Sequence, residues 1–395
     1  MMPRALWLLV IGMAVNVTGS SFLWPLNTIY MHEELGKSLS IAGIVLMINS
    51  AATVIGNLVG GVLFDKLGGY RSILLGIVIS LSSLIIMVFK HGWPEYIVLL
   101  TILGFGSGIV FPSMYALAGS VWKEGGRKAF NAMYVATNLG VALGAAMAGY
   151  IASFSFNYIF IANCLMYILF FLIAITSYRK MEVKSVSQPN EIKTAQKFRG
   201  NPKLNALFVL LIGYLLCCIG YVQWQSTISA YTQQIGISLK QYSMLWTING
   251  AMIVLAQPLI SLLVKRIKSL KVQIIIGIFI FAISFAVVGN AVAFSGFVTA
   301  MIILTIGEML VWPAVPTIAN DLAPKGKEGF YQGIVNSVST GGRMIGPLLG
   351  GVLVDVYGVK MLFGILMALL LISVYTTVVY DKKLKKKKVL PAIPS

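Results

Sequence analysis

The chain alternates long apolar stretches with short polar ones, and the apolar stretches are continuous instead of alternating residue by residue. Continuous runs of this length predict helices buried in hydrocarbon, because a bilayer core of about 30 Å takes roughly 20 helical residues to cross, whereas a membrane barrel would show apolar and polar residues in alternation. Twelve runs are expected as spans: 5–30, 41–64, 72–89, 96–118, 129–153, 157–178, 205–230, 241–264, 272–293, 297–320, 330–354 and 360–380. The first is too long for a signal-peptide core and is expected to remain as a span.

A search for internal repeats sharpens the picture. GSGIVFPSMYALA at 106–118 aligns with GEMLVWPAVPTIA at 307–319, and Gly140, Gly144 and Gly149 align with Gly342, Gly346 and Gly351. Two related halves follow: a first six-helix bundle over 1–178, a polar cytoplasmic linker over 179–204, a second six-helix bundle over 205–380, and a basic tail over 381–395. The expected fold is therefore an all-α integral membrane protein of twelve transmembrane helices in two pseudo-symmetric six-helix bundles.

Composition agrees, since 58% of the 395 residues are hydrophobic and 11% charged, too few polar groups to cover a water-soluble domain. A net charge of +18 is compatible with nucleic-acid binding, but its placement points to topology. With both termini in the cytoplasm, 25 of the 30 Lys and Arg residues fall on the cytoplasmic side, as the positive-inside rule requires. No nucleic-acid partner is expected. The tail KKLKKKK is suited to anionic lipid, or serves as a topology signal alone.

Little else invites chemistry. Cys164, Cys217 and Cys218 lie within spans, His32 and His91 in loops, and neither set has metal-ligand spacing. GFGSG at 104–108 sits inside a span with no preceding strand, so it reads as close helix packing. No enzyme, cofactor or metal is expected.

Two short stretches, GGVLFD at 60–65 and GGVLVD at 350–355, end different helices in nearly the same words. Around the first, Gly61, Asp65, Lys66 and Gly68 resemble the G-x-x-x-D-[RK]-x-G-R-[RK] signature of the major facilitator superfamily, with Gly69 at the next basic position and Arg71 two places on. The resemblance implies that Asp65 caps the start of helix eleven, through its free N–H groups and dipole, and helps to hold an outward-open state; a plain turn before helix three is the alternative. Before the second stretch, GRMIGPLLGG (Gly342, Arg343, Gly346, Pro347, Gly350, Gly351) resembles the G-x-x-x-G-P-x-x-G-G motif of antiporters, which there usually sits in helix five; here helix five has Ala145 in place of the proline. Its glycines are expected to let helices approach closely.

Charge at membrane depth is costly and usually functional. Of the twelve acidic residues, Glu308 alone falls near the middle of a span, with Ser107 as its repeat partner, and Arg343 is expected at a similar depth on helix eleven. Burial favours a neutral carboxyl and a nearby arginine a charged one, so Glu308 between them is suited to carry protons; a permanent Glu308 to Arg343 bridge is the structural alternative. TIGEMLVWPAVPTIANDLAP at 305–324 resembles helix ten of proton-linked multidrug exporters and of proton-coupled oligopeptide transporters, but helix one lacks the E-x-x-E-R motif of the peptide family. Family architecture implies a cavity lined by helices one, four, seven and ten. Asn16, Ser20, Leu23 and Asn27, with Trp24 at the edge, share one helical face; Tyr221 and Gln225 share another, as do Glu308 and Trp312. Aromatic and aliphatic groups with few polar ones suit an amphipathic or cationic organic ligand.

These features together imply a monomeric secondary transporter in the cell membrane that exports hydrophobic or cationic compounds against protons. Proton-coupled uptake of a small polar solute or peptide, transport of a lipid-like substrate, and a non-transporting receptor or assembly partner remain as alternatives.

Overall fold

Each apolar run becomes a helix because a backbone in hydrocarbon has no water to satisfy its N–H and C=O groups and must pair them within the segment. The structure, a computed structural model, describes residues 2–23, 26–152, 154–181, 201–382 and 384, and among them there is no strand. The first half contributes α1 (Arg4–Leu23), α2 (Leu39–Leu67), α3 (Gly69–Phe89), α4 (Glu95–Val121), α5 (Arg127–Ala152) and α6 (Phe156–Ser177). The second contributes α7 (Pro202–Val222), α8 (Leu239–Leu255), α9 (Leu270–Gly289) and α10 (Phe294–Leu322). Glu328–Val379 then runs on for 52 residues, about 78 Å at 1.5 Å per residue and more than twice a bilayer core. Gly358 resolves this, because its φ of 79° is non-helical and divides the stretch into α11 (328–357) and α12 (359–379). With the bent eighth span counted once and this stretch as two, the described residues hold twelve candidate membrane spans, consistent with the expected number.

Three spans are interrupted where the sequence predicts continuous helix. The first continues past α1 as Asn27–Ile29 and a π-helical turn, Tyr30–Glu34. The seventh breaks after Val222 and resumes at Thr227–Gln234. The eighth bends by 59° between α8 and Gln257–Arg266, where Pro258 has no N–H to continue the ladder. Long apolar runs show hydropathy but not these breaks, which depend on where backbone groups find other partners.

Contacts divide the chain into two compact units, Met1–Ser185 with Lys325–Gly341 and Val186–Pro324 with Gly342–Ser395. The internal repeat is visible in matching details of the two. In the first, Ser83 Oγ donates to the Leu99 carbonyl at 2.6 Å, and a Cβ on Gly76 would meet the Gly106 carbonyl at 2.8 Å. In the second, Ser284 Oγ donates to the Ala300 carbonyl at 2.8 Å, and a Cβ on Gly277 would meet the Gly307 carbonyl at 2.9 Å. All four positions are shifted by the same 201 residues, the offset of the sequence repeat. The helix starts echo each other too: Ser38 caps α2 and Ser238 caps α8, the latter in a reciprocal box with Gln241.

Candidate functional site

In the second unit the polar interior gathers on α10. Glu308 stands fourteen residues from either end of that helix and is 2% exposed. Two neighbouring elements hold its carboxylate. From α7 the Tyr221 hydroxyl donates to Oε1 at 3.3 Å, and from α8 the Asn249 amide donates to Oε2 at 2.9 Å. Asn249 Nδ2 also donates to Thr305 Oγ1 at 2.9 Å, one turn before Glu308, and Thr305 passes its own hydrogen to the Met301 carbonyl at 2.7 Å. A charge removed from water is tolerable only with such partners. The Arg343 guanidinium, on an exposed residue at mid-length of α11, lies within electrostatic range of the Tyr221 hydroxyl.

Aromatic rings complete the surroundings. Trp312, one turn after Glu308, has Tyr221 at 5.3 Å, Phe281 at 5.4 Å and Tyr214 at 5.6 Å between ring centroids, and Tyr221 has Trp246 at 6.1 Å. Trp246 Nε1 donates to the Tyr242 hydroxyl at 2.9 Å, and Tyr242 in turn donates to the Trp224 carbonyl in the break after α7. Ring faces carry negative potential, so a carboxylate among them makes a site of negative character with apolar walls. Gln225, expected beside Tyr221, is half-buried in the same break.

The glycines of α11 meet α7 within this unit. A Cβ at Gly342 would come within 2.6 Å of Cys218 Cβ, one at Gly346 would strike Val222, and one at Gly350 would strike the Gln223 side chain. Gln223 fixes the pair by donating to the Gly346 carbonyl at 2.7 Å. Pro347 lies within the same helical stretch. Gly351 departs from the expectation of a packing role: a Cβ there would meet nothing within 4 Å, because it stands one residue off the i, i+4, i+8 face that turns toward α7.

In the first unit the expected conformational residues lie at the junction of α2, α3 and the start of α11. The Asp65 carboxylate accepts from the backbone N–H of Gly329 at 2.8 Å and of Phe330 at 2.9 Å, the first turn of α11. A carboxylate there satisfies two N–H groups that the helix cannot pair internally and faces the positive end of its dipole. Gly61 permits the approach, since a Cβ would strike the Gly329 carbonyl, and Asn57 Nδ2 to Thr340 Oγ1 at 3.3 Å continues the seam. Gly68 makes the turn into α3 with φ of 88°, while Lys66 and Arg71 are exposed.

The expected cavity residues of α1 are placed differently from one another. Asn27 is buried and accepts from the Tyr96 hydroxyl at 2.6 Å, and Leu23 is packed in an apolar cluster with Phe22, Tyr96 and Phe160. Both serve the interior of their bundle, which leaves them poorly disposed to line a cavity. Ser20 donates to the Asn16 carbonyl at 2.9 Å. Asn16 is fully buried, and its amide has no hydrogen-bond partner among the described residues; the same holds for Asn163 on α6. Trp24 lies outside the described residues.

Sequence reasoning missed Asn249 and Thr305 because it sought the amides and hydroxyls of a cavity on the first and seventh helices, whereas Asn249 lies on α8 and Thr305 one turn before Glu308 on α10. A signal was present: Asn49 and Asn249 are 200 residues apart, on helices related by the repeat. In the first unit a Cβ at Gly104 would strike the Asn49 side chain; the second unit has Thr305 and then Glu308 at the related turn. Among the described residues, no group of acidic, histidine and cysteine side chains is placed to hold a metal ion.

Comparison with known proteins gives a consistent result. The family model described as Major Facilitator Superfamily matches residues 9–343 and, in a second match, residues 210–394. The uncharacterized MFS-type transporter YttB of Bacillus subtilis (strain 168) is 61% identical over 388 residues, which cover 98% of this chain and 98% of that one. The quinolone resistance protein NorA of Staphylococcus aureus (strain MSSA476) is 24% identical over 361 residues, 90% of this chain and 91% of that one. Among solved structures, the human organic anion transporter MFSD10 (TETRAN) aligns with a TM-score of 0.66 at 14% identity, covering 95% of this chain and 100% of that one, a likeness of fold.

Proposed function

The chain belongs to the major facilitator superfamily, and from that premise we propose that this multi-pass membrane transporter exports hydrophobic or cationic organic compounds in exchange for protons, by alternating access. The observation that carries the proposal is Glu308: a carboxylate 2% exposed at the middle of α10, hydrogen-bonded by Tyr221 and Asn249 and bordered by the Trp312 and Tyr221 rings. Carboxylate and rings together attract an apolar cation, and a proton on the carboxyl removes that attraction, so the two ligands compete for one group. Competition of this kind is what exchange needs, because each state of the carrier then takes one ligand and releases the other. The distant likeness to NorA, a quinolone resistance protein, supports the same direction.

The remaining parts follow the same reading. Asp65 on the first turn of α11 acts as a latch that opens and closes in the transport cycle, and Arg343 tunes the field at Glu308. The protein is a monomer in the cell membrane with both termini in the cytoplasm, where the abundance of Lys and Arg in the alternate loops would place them, and where the basic tail would meet anionic lipid. The test is binding of a fluorescent lipophilic cation to the purified protein. Affinity should fall as pH is lowered in the wild type and become independent of pH in Glu308→Gln; an unchanged pH dependence in that variant would refute the role of Glu308.

A further inference from the structure

The hydrogen bonds at Glu308 distinguish its two oxygens. Asn249 Nδ2 has two hydrogens, and both are committed, one to Thr305 Oγ1 and one to Glu308 Oε2. An amide NH2 donates only, so it cannot receive a proton carried on Oε2. Turning the amide over would aim Oδ1 at Thr305, and Thr305 would then have to give up its hydrogen bond to the Met301 carbonyl. Tyr221, on the other oxygen, is free of this restriction, because a phenol hydroxyl both donates and accepts.

We propose that the exchangeable proton of Glu308 resides on Oε1, that the Tyr221 hydroxyl reports it by reversing from donor to acceptor, and that Asn249 is a positioning residue that keeps it there. The inference rests on Glu308 being the proton carrier. On protonation an O–H bond forms at Oε1 and donates to the Tyr221 oxygen, while the hydroxyl keeps its own hydrogen and turns it away. On release that O–H bond breaks, the proton goes to solvent water, and the hydroxyl turns back. Tyr221 is the last residue but one of α7, immediately before the break from Val222 to Thr227. Its ring lies against Trp312 and Trp246, and Trp246 reaches the Trp224 carbonyl of that break through Tyr242. Reversal of one hydroxyl thus changes a polar contact of a residue that adjoins the break in the seventh span and packs on the rings leading to it. The other titratable or charged groups acting on Tyr221 are Arg343 from α11 and Tyr242 from α8; α9 packs on α10 through Gly277 and Phe281, neither of which titrates.

Infrared difference spectra of the full chain in lipid, recorded between alkaline and acid pH, test this without a substrate. In the wild type a protonated-carboxyl band should appear together with a shift of a tyrosine C–O band; Glu308→Gln should lose both, and Tyr221→Phe should lose only the second. Loss of the Tyr221 hydrogen bond to the charged form should move the carboxyl midpoint up by about one pH unit, about tenfold in proton affinity. Asn249→Leu, which releases Oε2 to hold the proton, should keep the carboxyl band and weaken the tyrosine shift. A carboxyl band with no tyrosine shift in the wild type, or a full tyrosine shift in Asn249→Leu, would overturn the inference while leaving Glu308 as proton carrier. No carboxyl band lost in Glu308→Gln would overturn the proton-carrier reading itself.

Discussion

At the scale of single residues, two carboxylates have opposite tasks in the proposed mechanism because their surroundings differ. Asp65 is held by two backbone N–H groups, at 2.8 and 2.9 Å, whose partial charge does not change through a transport cycle, with Lys327 and Glu328 within electrostatic range. Glu308 meets an amide and a hydroxyl, the hydroxyl lying within electrostatic range of Arg343, a set that includes a reversible partner. Asp65→Asn should therefore act on conformation and leave proton chemistry intact: with one carbonyl oxygen in place of two charged acceptors, the hold on α11 weakens by about 1–2 kcal/mol. Distances between spin labels on the helix ends should show the population of the latched state falling by roughly tenfold, which is what that energy implies, and an unchanged distribution would remove Asp65 from the latch. The role of Asp65 as a cap could be sought in the sequence because a short motif carries it. That of Asn249 could not, since an amide gains meaning only from what it faces, here the carboxylate and Thr305 on another helix.

Among the helices, the α7 and α11 pair is set by which glycines turn toward the neighbour. A side chain at Gly346 has no room, because even a Cβ would strike Val222, while one at Gly351 enters open space. Gly346→Leu should lower the midpoint of thermal unfolding in detergent and cost about 1–3 kcal/mol as an overpacked contact, whereas Gly351→Leu should leave the midpoint near wild type. Equal effects of the two would mean that the glycine face is misassigned. The motif GRMIGPLLGG displays its four glycines but not their facing, which follows from 3.6 residues per turn and from the partner helix α7. Helix existence was legible for the same reason that helix breaks were not. Hydropathy averaged over a whole span hides the short polar stretch Gln223–Ser226 at which the seventh helix is interrupted, and the turn at Ala256, where Pro258 bends the eighth span by 59°.

For the whole molecule, the twelve helices and their internal repeat were legible because a bilayer imposes one length and one chemistry on every span. The repeated Ser83 and Ser284 hydrogen bonds are its structural form. Substrate class and direction of transport are less directly inscribed: in the proposed mechanism they rest on the carboxylate and rings of one half, where the sequence repeat is broken because Glu308 aligns with Ser107. The charge bias of the loops also leads to an expectation at this scale, that cysteines introduced at either terminus react with impermeant reagents only after the cytoplasmic face is opened. The central claim, exchange of an organic cation for protons through Glu308, is tested most directly in proteoliposomes with an imposed pH gradient and a fluorescent lipophilic cation. The account predicts uphill movement of the cation into the acidic compartment, collapse of that accumulation when the gradient is dissipated, and no accumulation in Glu308→Gln although that variant still binds the cation. Accumulation by Glu308→Gln equal to that of the wild type under the same gradient would contradict it.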